Sequence, residues 1–222
     1  MYKNADLWEE AYRVSRTHGG ANASKNIAYQ WAMSLNNPEA AVKLLSRFGL
    51  LNQVVDFAVE SHDFNFAKDL IVNSGQDMKF KLSEVKLKYA LWLEDQEQFA
   101  DAELMFIEAG KPKEAVLMYL HNNNYEDALR VAEEFVPEED CARDVLTAQA
   151  KNILEKDYRN YDKMMKAESL LLRAGRIEVA VKFYKENNMW DEAIRVYEQY
   201  GPNLVDTVKR EIINEGRFTA EL

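Results

Sequence analysis

Three alanines, Ala102, Ala115 and Ala128, stand at equal intervals, each closing a phrase of one kind: Phe99-Ala100-Asp101-Ala102, Pro112-Lys113-Glu114-Ala115 and Tyr125-Glu126-Asp127-Ala128. The interval of thirteen positions holds about three turns of α-helix and a tight turn. Gly110 separates the first phrase from the second, and Asn122-Asn123-Asn124 the second from the third. The triplet recurs upstream as Ala41, Val54 and Ala67, and downstream as Ala167, Ala180 and Ala193, with one constant offset in each direction. The same two offsets relate Gly49, Gly110 and Gly175, then Val55, Val116 and Val181, then the aromatics Phe64, Tyr125 and Trp190, then Leu70, Val131 and Val196. A repeat of this period built from short helices specifies a solenoid, because each unit leaves an apolar face that only the next unit can cover.

Each super-unit reads as a lead helix and three short helices. The lead helices fall at 23–35, 82–95 and 141–156. The short ones fall at 38–48, 98–109 and 161–174, then 50–61, 111–122 and 176–187, then 64–73, 125–135 and 190–200. Leu7-Trp8-Glu9-Glu10-Ala11-Tyr12-Arg13-Val14 matches the last helix of such a unit, and 204–214 reads as the lead helix of another. The expected fold is all-α: a single right-handed, tetratricopeptide-like α-solenoid of short antiparallel hairpins. It has about 14 helices, and super-units at 1–20 (partial), 21–80, 81–137, 138–201 and 202–222 (partial). The partial units imply a fragment of a longer solenoid.

The turns have local causes. Gly49, Gly110 and Gly175 suit the left-handed residue that ends a helix, and Pro112 suits the first turn of the next. Ser24 and Ser83 are the expected N-caps of two lead helices. Glu9, Glu126 and Asp191 stand one helical turn before Arg13, Arg130 and Arg195, the stabilising order for helical ion pairs. The small residues let helices approach closely while the aromatics fill the seams.

Composition narrows the function. A net charge of -10 and a pI near 5.0 argue against nucleic acid or an anionic membrane as the partner. The one cysteine, Cys141, excludes an internal disulfide framework. No apolar run has transmembrane length, so direct membrane insertion is not expected. His18, His62 and His121 are isolated beside inter-helix turns, without metal-ligand spacing. Nothing in the sequence pairs a nucleophile with a base or builds a phosphate-cradling loop. The chain therefore reads as a non-enzyme with no catalytic residue, metal or cofactor. The downstream offset (102 to 167) exceeds the upstream one (41 to 102) by four. That insertion places Tyr158, Tyr161, Met164 and Met165 as the candidate partner-binding residues on a loop. Self-association through the apolar end faces is a further expectation.

Several phrases carry a family resemblance: Lys88-Tyr89-Ala90-Leu91-Trp92-Leu93-Glu94-Asp95, Glu108-Ala109-Gly110-Lys111-Pro112-Lys113-Glu114-Ala115-Val116, His18-Gly19-Gly20-Ala21-Asn22-Ala23, Leu170-Leu171-Leu172-Arg173-Ala174 and Trp190-Asp191-Glu192-Ala193. As an ordered set they resemble the C-terminal tetratricopeptide-like solenoid of the large intraflagellar transport subunits in the peripheral part of the B complex. The hairpins run to about 26 residues, shorter than true tetratricopeptide repeats of about 34, so no peptide-clamp residues carry over. The resemblance implies a scaffold that docks other transport subunits into a train, supports cilium assembly and cargo transport, and resides in the cilium or flagellum, at its base and in the cytoplasm. The alternative from the fold is a vesicle-coat or other membrane-trafficking scaffold.

Overall fold

The computed structural model describes residues 7–75, 78–137 and 140–200. Among them are thirteen helices and no strand. In order they are α1 (Trp8–His18), α2 (Gly20–Ser34), α3 (Pro38–Arg47), α4 (Leu51–Glu60), α5 (Phe64–Asn73), α6 (Lys79–Asp95), α7 (Phe99–Glu108), α8 (Pro112–His121), α9 (Tyr125–Phe135), α10 (Cys141–Asp157), α11 (Tyr161–Ala174), α12 (Glu178–Glu186) and α13 (Trp190–Tyr200). The fold is an all-α solenoid of short hairpins. The segment 204–214 lies outside the described residues.

The repeat is written into the helix bounds. Helices α3, α4 and α5 start at 38, 51 and 64, and α7, α8 and α9 start at 99, 112 and 125, a constant step that equals the upstream offset. The bounds of α9 and α13 differ at both ends by the downstream offset. All nine marker positions, Ala41, Val54, Ala67 and their equivalents, have 0% exposure. Their lack of bulk is what lets the backbones meet.

The chain forms two compact units, Met1–Ala115 and Val116–Leu222. In the first, each of these helices packs on its sequence neighbour and on the helix after that: α2 on α3 and α4, α3 on α4 and α5, α4 on α5 and α6. This nearest-neighbour burial is the physical signature of a solenoid. The core joins Leu45, Val54, Val55, Leu70, Ile71 and Val85. In the second unit, α9 packs on α10, α10 on α11, α11 on α12 and α12 on α13. Its core joins Leu154, Met164, Leu171, Val181, Tyr184 and Val196.

Left-handed turn residues obey the same periods. Gly49, Gly110 and Gly175 have φ of 67°, 74° and 67°. His62, Asn123 and Asn188 form a second equivalent set at 61°, 57° and 60°, and Asn36 and Glu97 a third at 48° and 59°. The side chains of Asn37, Asp63, Asn124 and Asn160 cap α3, α5, α9 and α11. Ser24 and Ser83 are not caps: α2 starts at Gly20 and α6 at Lys79, so both serines lie a turn inside. Burial of Met78 draws α6 back past Ser83, whose hydroxyl instead donates to the Ala109 carbonyl at 2.6 Å.

The four extra positions in the downstream offset do not form a loop. Three residues join α6 to α7 and three join α10 to α11. The difference is in α11, which has 14 residues where α7 has 10. Four residues are about one helical turn, so the addition lengthens the helix and keeps the inward face in register.

Candidate functional site

The four candidate partner-binding residues separate by depth. Tyr158 follows the last turn of α10, half-buried, with its ring edge-on to Phe183 at 6.2 Å and the Arg159 guanidinium 5.5 Å over it. Tyr161 opens α11 and is 60% exposed. Met165 is half-buried. Met164 is 4% exposed and belongs to the core with Leu154 and Leu171. An aromatic pair thus brackets the α10–α11 turn, with the added helical turn behind it.

Helices α11, α12 and α13 also converge on a buried carboxylate. Glu168, on the inward face of α11, is 1% exposed. Its Oε1 accepts from the Tyr184 hydroxyl at 2.7 Å and from Arg195 Nη2 at 2.6 Å, and its Oε2 accepts from Arg195 Nη1 at 3.2 Å. Arg195 also donates from Nε to Glu192 at 2.6 Å. A carboxylate can be buried at tolerable cost only when paired and hydrogen-bonded in this way. Burial, then the bond to Glu168, hold the Tyr184 hydroxyl above its ordinary pKa, and the bond to Glu168 holds the Arg195 guanidinium above its own. With its carboxylate engaged by three donors from two other helices, the cluster acts as a polar latch among α11, α12 and α13.

Spacing within one helix points Arg195 to Asp191 and gives no sign of this latch. The structure pairs Arg195 with Glu192, one residue nearer, and with Glu168 across helices. At the other two positions, Arg13 does pair with Glu9 at 3.5 Å, and Arg130 pairs with Asp127 at 3.1 Å. The signal that could have found the latch is a recurrence: one repeat upstream of Glu168, Tyr184 and Arg195 stand Glu103, Tyr119 and Arg130. One repeat further upstream the set is Val42, Ala58 and Asp69, with the first two buried.

A surface groove of about 550 Å³ runs between α12 and α13. Val181, Trp190 and Tyr197 line it together with Glu178, Lys182 and Lys185. The histidines do no joint work: His18 and His121 end α1 and α8, and His62 stacks on Trp92 at 5.7 Å. Cys141 opens α10, half-buried. Among the described residues no group of three His, Cys, Asp or Glu side chains could hold a metal ion, and no helix is long and apolar enough to cross a membrane.

No protein-family model matches the chain. Curated relatives do, along its whole length. The chain is 47% identical over 221 residues to intraflagellar transport protein 172 homolog of Danio rerio, covering 100% of this chain and 12% of that protein. It is 49% identical over 216 residues to the Homo sapiens homolog, covering 97% and 12%. To intraflagellar transport protein 172 of Chlamydomonas reinhardtii it is 42% identical over 214 residues, covering 96% and 12%. The chain thus spans about one eighth of the length of the relatives it matches. Identity at this level along nearly the whole chain makes it a homologue of one segment of intraflagellar transport protein 172.

Proposed function

We propose that this chain is a non-catalytic scaffold segment of an intraflagellar transport train, contributing to its B complex and so to cilium assembly and cargo transport. Its residence would be the cilium or flagellum, with the ciliary base and cytoplasm. The observation that carries the reading is the whole-length identity to proteins named for intraflagellar transport. It is supported by a helical repeat whose polar clusters are engaged in joining helices. The repeating element is the super-unit of a lead helix and three short helices, set out as 21–80, 81–137 and 138–201. The docking face we assign is the α10–α11 turn with Tyr158, Tyr161 and Met165. Its aromatics offer rigid contact area, and Met164 supports it from inside.

The test is affinity isolation with the 222-residue chain from ciliated cells. Recovery of intraflagellar transport subunits, reduced by Tyr161→Ala, supports the reading. Recovery of vesicle-coat components alone overturns it.

A further inference from the structure

Three turns of one kind lead from a lead helix into the short helix after it, and their charges differ. The window runs five positions to either side of the residue that opens the short helix. About Pro38, the α2–α3 turn holds one acid and one cation, Glu39 and Lys43. About Phe99, the α6–α7 turn holds five acids and no cation. About Tyr161, the α10–α11 turn holds four cations, Lys156, Arg159, Lys163 and Lys166, against Asp157 and Asp162. All four cations are exposed. In a chain of net charge -10, this turn carries a local surplus of the opposite sign.

Part of that charge is held in place. Arg159 Nε donates to the Tyr158 hydroxyl at 3.3 Å, and the guanidinium lies 5.5 Å over the same ring. Tyr158 is itself set edge-on against Phe183 of α12. A guanidinium steadied through Nε and its flat face presents both Nη groups as a fork, which matches a carboxylate. Lys163 engages Asp157, so that acid does not compete for the fork. Among the described residues no carboxylate pairs with Arg159 or Lys166. Tyr161 is 60% exposed and Met165, one helical turn along α11, is half-buried, so apolar surface stands among the cations.

We propose that the α10–α11 turn docks an acidic segment of a partner protein. Arg159 and Lys166 take its carboxylates, and Tyr161 and Met165 seat an apolar side chain between them. The proposal rests on the reading of this turn as the docking face. Aromatic, methionine and arginine side chains together are the composition of a protein interface. Nucleic acid and anionic membrane fit less well, because their extended charge meets the repulsion of the whole acidic chain. A short acidic segment meets chiefly the local field, which is screened beyond about 8 Å at physiological salt.

Fluorescence anisotropy tests this with the 222-residue chain and a fluorescein-labelled synthetic peptide in which glutamates flank a leucine. The same peptide with glutamine for glutamate, labelled single-stranded DNA and phosphatidylserine vesicles are the comparison probes. The glutamate peptide should bind, and more weakly as salt rises. The double variant Arg159→Glu/Lys166→Glu should weaken binding about tenfold, with the unfolding midpoint unchanged. If the midpoint falls, the neutral pair Arg159→Gln/Lys166→Gln decides instead, again by weaker binding. No binding of the glutamate peptide, equal binding of the glutamine peptide, or full affinity in the variant overturns the proposal. So does binding confined to DNA or vesicles. These probes contain no transport subunit, so the two readings fail separately. A peptide that does not bind, with recovery of transport subunits still reduced by Tyr161→Ala, strikes the acidic partner and leaves the docking face. A bound peptide with that recovery unchanged strikes the transport reading and leaves the acidic site.

Discussion

The Glu168 carboxylate and the Arg195 guanidinium meet at two points, 2.6 and 3.2 Å apart, with Glu168 1% exposed and the Tyr184 hydroxyl on the same carboxylate. Removing one partner leaves a buried charge uncompensated. Arg195→Met should therefore destabilise the chain by about 3 kcal/mol, measured by urea unfolding. Tyr184→Phe should cost about 1 kcal/mol, the ordinary worth of a buried hydrogen bond. Because both donors act on one carboxylate, the double variant should depart from additivity. Additive losses would mean the three groups do not act as a unit.

Alkaline stability should report a second tyrosine besides Tyr184. The Tyr29 hydroxyl donates to Asp63 at 2.7 Å, and burial, that bond and the nearby carboxylate push its pKa from 10.0 up to about 12. Between those values the folded chain holds a proton that the unfolded chain releases. The stabilisation is complete below pH 10 and is lost as pH rises through about 12. Denaturant midpoints should fall across that window, and Tyr29→Phe should reduce the slope. An unchanged slope would show that Tyr29 ionises alike in both states.

Glu97 occupies a left-handed turn position at φ 59°, where its counterpart one repeat upstream is Asn36 at φ 48°. A residue with a long side chain meets a steric cost there that asparagine largely escapes. Glu97→Asn should stabilise the chain by about 0.5–1 kcal/mol, read as a raised melting temperature. A lowered one would show that the Glu97 side chain contributes more than its backbone strain costs.

Ala128 is fully buried, as are its equivalents Ala67 and Ala193. Ala128→Trp forces bulk into a seam between backbones and should cost at least about 1–3 kcal/mol. The measurement is thermal unfolding by circular dichroism. An unchanged melting temperature would contradict the repeat register.

Much of this architecture is legible because burial and turn chemistry act locally. The bounds 64–73, 125–135 and 190–200 follow from apolar spacing and turn residues, and α5, α9 and α13 keep them. Lead helices are harder to bound. The starts of α2 and α6 lack side-chain caps, and burial of Met78 carries α6 back beyond Ser83, a serine with the chemistry of a cap. The added residues of α11 suggest a loop because sequence offsets count residues without saying whether they wind. The latch is hidden for a related reason. Glu168 and Arg195 are 27 residues apart and join helices that only the stack brings together, so spacing within one helix favours Asp191. Of the four candidate partner residues, Met164 faces the core because the added turn preserves the inward stripe.

Whether this segment docks other subunits into a transport train is decided by crosslinking mass spectrometry on intact ciliary assemblies. Lys163 and Lys166 are exposed on α11 beside Tyr161 and are the reporters. Docking through the α10–α11 turn predicts links from these lysines to other intraflagellar transport subunits. Links confined to this chain, or made only to vesicle-coat proteins, would contradict it.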